Sequence, residues 1–203
     1  GIVRIQNFYG RSGENYRSVA TDMEETLDKF KDDSVDAVLL DLRNNGGGAL
    51  EPMVDMAGLF INEGPIVQKR NHEGIIAVNS DERAGKVYDG PLAILVNKWS
   101  ASASELFVMA IQDYQRGIAI GDSQTFGKGT LGRQYDIAQV LRRRGGDMGM
   151  IALTEGKTYG PSGRSVHLDG ANSDVVLPSL TDHLFVGESV LDYALPRDTV
   201  DPI

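Results

Sequence analysis

Ser102 and Lys128 are the two residues whose types and surroundings could together do chemistry. Ser102 is the middle serine of Ser100-Ala101-Ser102-Ala103-Ser104. Lys128 lies between two glycines in Thr125-Phe126-Gly127-Lys128-Gly129-Thr130. A serine at the start of a helix sits beside backbone N–H groups that have no partner inside the helix and attract negative charge. Such a hydroxyl can attack a carbonyl, and the same donors can hold the oxyanion that forms. A base must take the hydroxyl proton. Of the three histidines, His72, His167 and His183, none stands at a strand end beside a turn of small residues. A serine–lysine pair is therefore the better reading than a Ser-His-Asp triad. A free lysine, with a pKa near ~10.4, is a poor base at neutral pH, and burial among apolar groups lowers that value. Phe126 and the flanking glycines offer such burial without establishing it, and a lone lysine is ordinarily a solvated surface group.

Each of these residues has a plainer reading. Ser102 with Glu105 three positions on satisfies a capping box, and a structural helix cap is the default for Ser-x-x-Glu. Ser100 and Ser104 compete for the nucleophile's role, but residues two apart on a helix point apart, so at most one faces a base. Ala103 supplies an N–H beside the middle serine. Asp113 lies eleven positions beyond Ser102 on the same helix, ~16 Å along its axis, and cannot touch it. A carboxylate beside Lys128 would also raise the lysine pKa. Asp113 is expected to be structural, in an ion pair with Arg116 or with a neighbouring loop. Gly121 to Thr130 resembles a phosphate-binding loop, but five residues separate Gly121 from Gly127 and Gly129 follows the lysine, so it mismatches that motif at both ends. Asp41, Asp113 and Asp122 are scattered among strand and helix ends, which gives no metal cluster and no cofactor to expect.

The elements that must position these residues follow from periodicity. Apolar Pro91–Val96 reads as a buried strand running into the serine-rich turn. Leu106, Phe107, Met109, Ala110 and Ile111 recur at helical spacing after it. A second strand–loop–helix unit precedes it: Asp36–Leu42, then Asn44-Asn45-Gly46-Gly47-Gly48, then a helix over Ala49–Ile61. Val19, Met23, Leu27 and Phe30 mark an amphipathic helix over Ser18–Lys31. Strands are expected at Gly1–Phe8, Ile66–Arg70 with Ile75–Val78 as a hairpin, Ile118–Ile120, Tyr135–Val140, Met148–Thr154 and Val175–Pro178. Loops are expected over Tyr9–Tyr16 and Arg142–Asp147, and turns over Gly156–Gly163. Alternating strands and helices give one α/β domain with a mostly parallel or mixed sheet. Residues 181–203, which mix polar residues with Leu184, Phe185, Val190, Leu191 and Leu195, read as a C-terminal extension packed over the core.

The 203 residues carry a net charge of −9, which disfavours nucleic acid and anionic membranes as partners. The one basic cluster, Arg142-Arg143-Arg144, reads as a solvated loop. There is no cysteine, so there is neither a disulfide nor a cysteine-ligated metal. No run approaches the ~20 apolar residues of a membrane span. The chain opens directly on a predicted strand, and any targeting segment is expected to lie outside it.

Taken together, several segments resemble the tail-specific protease (carboxyl-terminal processing peptidase) family. They are V-D-A-V-L-L-D-L-R-N-N-G-G-G-A-L, G-L-F-I-N-E-G-P-I-V-Q, G-P-L-A-I-L-V-N-K-W-S-A-S-A-S-E-L-F, I-Q-D-Y-Q-R-G, T-F-G-K-G-T, P-S-G-R-S and V-V-L-P-S. The tail G-E-S-V-L-D-Y-A-L-P-R-D is similar to the bacterial tail-specific subgroup. The resemblance implies a ClpP/crotonase-like α/β core, here residues 1–180, and a serine endopeptidase that cleaves proteins with apolar, unstructured C-terminal tails. It assigns Ser102 as nucleophile and Lys128 as base. It places the oxyanion between the N–H of Ala103 and that of Gly46 or Gly47, and associates Glu105, Asp113 and Thr125 with activity. It implies no cofactor, a peptide-binding PDZ module outside these residues, and a place in the bacterial cell envelope, in the periplasm. Some relatives carry a glutamine four residues after the lysine; Gly132 stands there, with Gln134 two further on. Two other classes stay open: a silent peptide-binding scaffold that keeps the groove, and an acyl-thioester enzyme using the same oxyanion donors.

Overall fold

The computed structural model describes residues 1–11, 17–142 and 147–203. Part of the first expected loop, and Arg143 and Arg144 of the basic cluster, lie outside the described residues. In chain order the elements are β1 (Ile2–Arg4), α1 (Val19–Asp32), β2 (Val38–Asp41), α2 (Leu50–Gly58), β3 (Gly64–Asn71), β4 (Ile76–Asp81), β5 (Leu92–Val96), α3 (Ala103–Asp113), β6 (Ile118–Gly121), β7 (Thr130–Asp136), α4 (Ile137–Val140), β8 (Met150–Tyr159) and β9 (Val175–Val176). Two 3-10 turns, Leu180–His183 and Glu188–Val190, follow.

The strands form two sheets. Five of them lie parallel in the order β1-β2-β5-β6-β9, and the other four lie antiparallel in the order β4-β3-β8-β7. The expected mostly parallel sheet is the first of these, with the antiparallel pairs gathered into the second. Val38, Leu40, Ile94 and Val96 are buried, as the strands of a covered parallel sheet must be. Helices α2 and α3 bury Met53, Met56, Phe107 and Ile111, and the rings of Phe8, Phe60 and Phe107 meet at 6.0 and 6.2 Å between centroids. Ser18 caps α1, its hydroxyl accepting the N–H of Thr21.

Three local expectations come out differently. The strand expected over 135–140 divides, because the Asp136 carboxylate accepts the N–H of Ala138 and starts the single turn of α4. Strand β8 continues through residues expected to turn, because Arg70 of β3 and Thr130 of β7 both pair with Lys157. The C-terminal segment is docked by polar groups and not by its apolar ones. Asp198 pairs with Arg70 and with Lys157 and accepts from the Tyr159 hydroxyl, while the Gln68 amide donates to Asp201 O at 3.0 Å. Leu184, Phe185, Val190, Leu191 and Leu195 are exposed, Phe185 by 93%.

Candidate active site

Strands β2, β5 and β6 are neighbours and parallel, so their C-terminal ends open on the same edge of the sheet. That edge is where open α/β sheets place their sites. The three loops that leave it carry Asn44–Gly48, Asn97–Ser102 and Asp122–Lys128. Parallel pairing therefore brings together three segments separated by tens of residues in sequence.

The structure separates the three serines. Ser100 is fully buried, and its hydroxyl donates to Leu42 O at 2.8 Å. Ser104 is fully buried and donates to Asn45 O at 2.9 Å. The two hydroxyls fasten the serine turn to the end of β2 and to the Asn44–Gly48 loop that follows it. Ser102 remains partly exposed, with φ 58° and ψ −118°. A positive φ in a non-glycine residue is strained backbone, held here by the bonds on either side.

Glu105 is the hub. It is fully buried, and its two oxygens take four donors. Oε1 accepts from the Thr125 hydroxyl at 2.6 Å and the Gly127 N–H at 2.6 Å. Oε2 accepts from the N–H of Ser102 at 2.7 Å and of Lys128 at 2.9 Å. The capping-box reading is thus right for the glutamate's half, and the same carboxylate also holds the lysine loop. Burial pushes the Glu105 pKa up to about 7, against the pull of the Thr125 hydroxyl and the three N–H groups. Thr125 is buried, and its oxygen also accepts the Ala171 N–H at 2.7 Å.

The Gly46–Gly47 backbone lies against this turn. Gly47 has φ +105°, and a Cβ there would stand 2.8 Å from Ser102 Cβ and 3.0 Å from Ala103 N. Only glycine allows that approach. Its N–H, however, donates to Asn45 Oδ1 at 2.9 Å. Among the described residues the N–H groups of Gly46 and Ala103 have no partner. Gly46 is exposed and faces open space.

Lys128 is exposed, so Phe126 and the flanking glycines do not bury it. Among the described residues its side-chain nitrogen makes no hydrogen bond, to Ser102 or to any other group. Asp113 is far from Ser102 along α3, as expected, but its partner is not Arg116. Its carboxylate accepts from Arg164 at 2.7 Å and from the Ser162 N–H at 3.0 Å. Arg116 instead donates to the carbonyls of Phe60, Tyr88 and Gly90. Gly132 and Gln134 both lie on β7, and Gln134 is exposed opposite Ala152. Among the described residues no group of three or more His, Asp or Glu could hold a metal ion.

Sequence reasoning missed the asparagines. Asn45 is fully buried; its amide donates to Ile5 O at 3.0 Å, and its carbonyl accepts the N–H of Ala101 at 2.9 Å. Asn97 donates to Asn44 Oδ1 at 2.8 Å and accepts the Asn44 N–H at 2.9 Å, locking the loops after β2 and β5 together. The available signal was an asparagine just past each apolar run, Asn97 directly after Val96 and the pair Asn44-Asn45 one residue removed from Leu42, where Asx turns start. Trp99, 39% exposed beside the turn, was also overlooked.

The model of peptidase family S41 matches residues 1–177, and the chain belongs to that family. It is 37% identical over 199 residues to the tail-specific protease of Haemophilus influenzae, covering 98% of this chain and 28% of that one. It is 30% identical over 191 residues to the carboxy-terminal-processing protease of Bartonella bacilliformis, covering 94% and 41%. Among solved structures, the photosystem II D1 C-terminal processing protease is similar with a TM-score of 0.70 at 29% identity, over 87% of this chain and 42% of that one. The chain spans less than half the length of each of these relatives.

Proposed function

We propose that this chain is the catalytic core of a serine endopeptidase of the carboxyl-terminal processing type, acting on proteins with apolar, unstructured C-terminal tails. Ser102 is the nucleophile and Lys128 the base. The observation that carries the reading is the shared carboxylate, which ties the Ser102 and Lys128 amides to one oxygen. The Ser102 proton passes to the neutral Lys128 amine as Oγ bonds to the scissile carbonyl carbon. The oxyanion is held by the free N–H groups of Ala103 and Gly46; the Gly47 N–H is already taken. The intermediate collapses, and Lys128 returns the proton to the departing amine. Water then gives Lys128 a proton as it attacks the acyl carbon, and the Ser102 hydroxyl re-forms. A substrate lying over the exposed lysine takes its amine out of bulk water. Glu105, Thr125 and Asp113 hold the frame without touching substrate. Residues 1–180 form the core and 181–203 an extension of it. We place the full-length protein in the bacterial envelope with a PDZ module that captures tails, by analogy with the family. The test is cleavage of unfolded proteins differing only in their last residues. Apolar tails should be degraded and charged tails spared; equal rates contradict the proposed specificity.

One observation favours a second reading. Lys128 is exposed, and among the described residues its amine makes no hydrogen bond to Ser102, as in a silent peptide-binding module on the same frame. A fluorophosphonate probe separates the two, since only an activated Ser102 is labelled.

A further inference from the structure

We propose that His167 is a positioning residue for Lys128, the link through which the C-terminal segment sets the lysine loop. The proposal rests on the Ser102–Lys128 reading above.

The segment Ser165–Leu168 brackets the lysine. Leu168 N–H donates to Gly127 O at 2.8 Å, holding the residue before Lys128. On the other side Gly129 packs directly on His167: a Cβ at Gly129 would stand 2.7 Å from both Cβ and N of His167. A ring of bonds closes this contact. Thr158 N–H donates to Gly129 O at 2.9 Å, the Ser165 hydroxyl to Thr158 O at 2.9 Å, and His167 N–H to Ser165 Oγ at 3.1 Å. The backbone at Lys128 is therefore bracketed by this segment on both sides.

The imidazole ties this segment to the C-terminal residues. His167 is 1% exposed, and its Nε2 lies 2.9 Å from Leu195 O. A carbonyl only accepts, so Nε2 carries the proton. Nδ1 is buried and has no partner among the described residues, so the ring's one polar attachment is to the C-terminal segment. That segment is itself anchored. Lys157 donates to Pro196 O, and Asp198 is held by Arg70, Lys157 and Tyr159. It also reaches the lysine loop from the other side, where Glu188 N–H donates to Phe126 O at 2.8 Å. The C-terminal segment thus touches the loop directly before Lys128, and through His167 after it.

His167→Ala keeps the Cβ and N–H that face Gly129 and removes the link to Leu195 together with the buried ring. His167→Gln restores an N–H donor at the reach of Nε2; His167→Asn is one methylene too short. We expect kcat on an unfolded apolar-tailed protein to fall about tenfold or more in H167A, with KM within about twofold. The rate of Ser102 labelling by a fluorophosphonate should fall in parallel, with recovery in H167Q but not in H167N. The inference is overturned by an H167A enzyme with unchanged kcat, by equal impairment in H167A and H167Q, by a change in KM alone, or by loss of the fold in every variant at 167. Ser102→Ala is the control. Activity surviving in S102A defeats the proposed function itself, whereas a dead S102A beside a fully active H167A ends this inference alone.

Discussion

The amides of Ser102 and Lys128 donate to one atom, Oε2 of Glu105, at 2.7 and 2.9 Å. The two residues are 26 positions apart on different loops, yet their backbones are separated by no more than those two bonds laid end to end. A buried carboxylate with four donors is rigid, because loss of any one leaves a charged group short of a partner. The frame of the site is therefore built without the Lys128 side chain, which is exposed.

Glu105→Gln tests that frame. The amide keeps the shape but turns one oxygen into a donor facing other donors. Stability should fall by about 1–3 kcal/mol, read from denaturant midpoints, with kcat falling as well. An unchanged midpoint would mean that the four bonds carry no weight.

Glu105 also makes stability depend on pH. Its pKa rises from 4.5 to about 7 on folding, so between those values the folded protein binds more protons than the unfolded chain. Its contribution is fully present below about pH 4.5 and is lost as pH rises through about 7, by about 3 kcal/mol at most. Unfolding free energies of wild type minus E105Q should fall across that window. A difference that stays flat, or that rises, contradicts the burial argument.

Gly47 and Gly46 should respond oppositely. Gly47→Ala drives a methyl to 2.8 Å from Ser102 Cβ at a φ of +105°, whereas at Gly46 nothing lies within 4 Å. G47A should lose ~1–3 kcal/mol and its activity. G46A should melt like the parent. Equal melting of the two variants would contradict the close approach.

Asp113 and Arg164 form an unequal pair. The Arg164 side chain is 61% exposed and that of Asp113 6%. Screening limits the ion pair itself, so Arg164→Ala should cost ~0–1 kcal/mol. Asp113→Ala also strands the Ser162 N–H and should cost ~1–3 kcal/mol. Thermal melts of the two single variants decide it, and equal losses would show that the backbone bond is immaterial.

The strand–loop–helix units were legible because apolar periodicity and runs of glycine and serine are local signals. Ser102 stood out for that reason, and Glu105 through its spacing from Ser102. Its second contact, to the loop before Lys128, was hidden because only parallel pairing of β5 with β6 brings the two together. For Asp113 two partners were open, Arg116 three positions on or a neighbouring loop; the loop supplies it, through Arg164, 51 positions away, and periodicity could not name that residue. The exposure of Lys128 was not readable either, since neighbouring phenylalanine and glycine set composition and not coverage. In the C-terminal segment, apolar residues suggested packing, but Asp198 and backbone groups make the attachment.

The most direct measurement is cleavage of an unfolded, apolar-tailed protein by the parent, Ser102→Ala and Lys128→Arg side by side. Arginine keeps its charge and cannot accept the serine proton. The account predicts that both variants are folded and silent, with turnover down by at least ~10³-fold. Substantial cleavage by the arginine variant would show that the proton goes elsewhere.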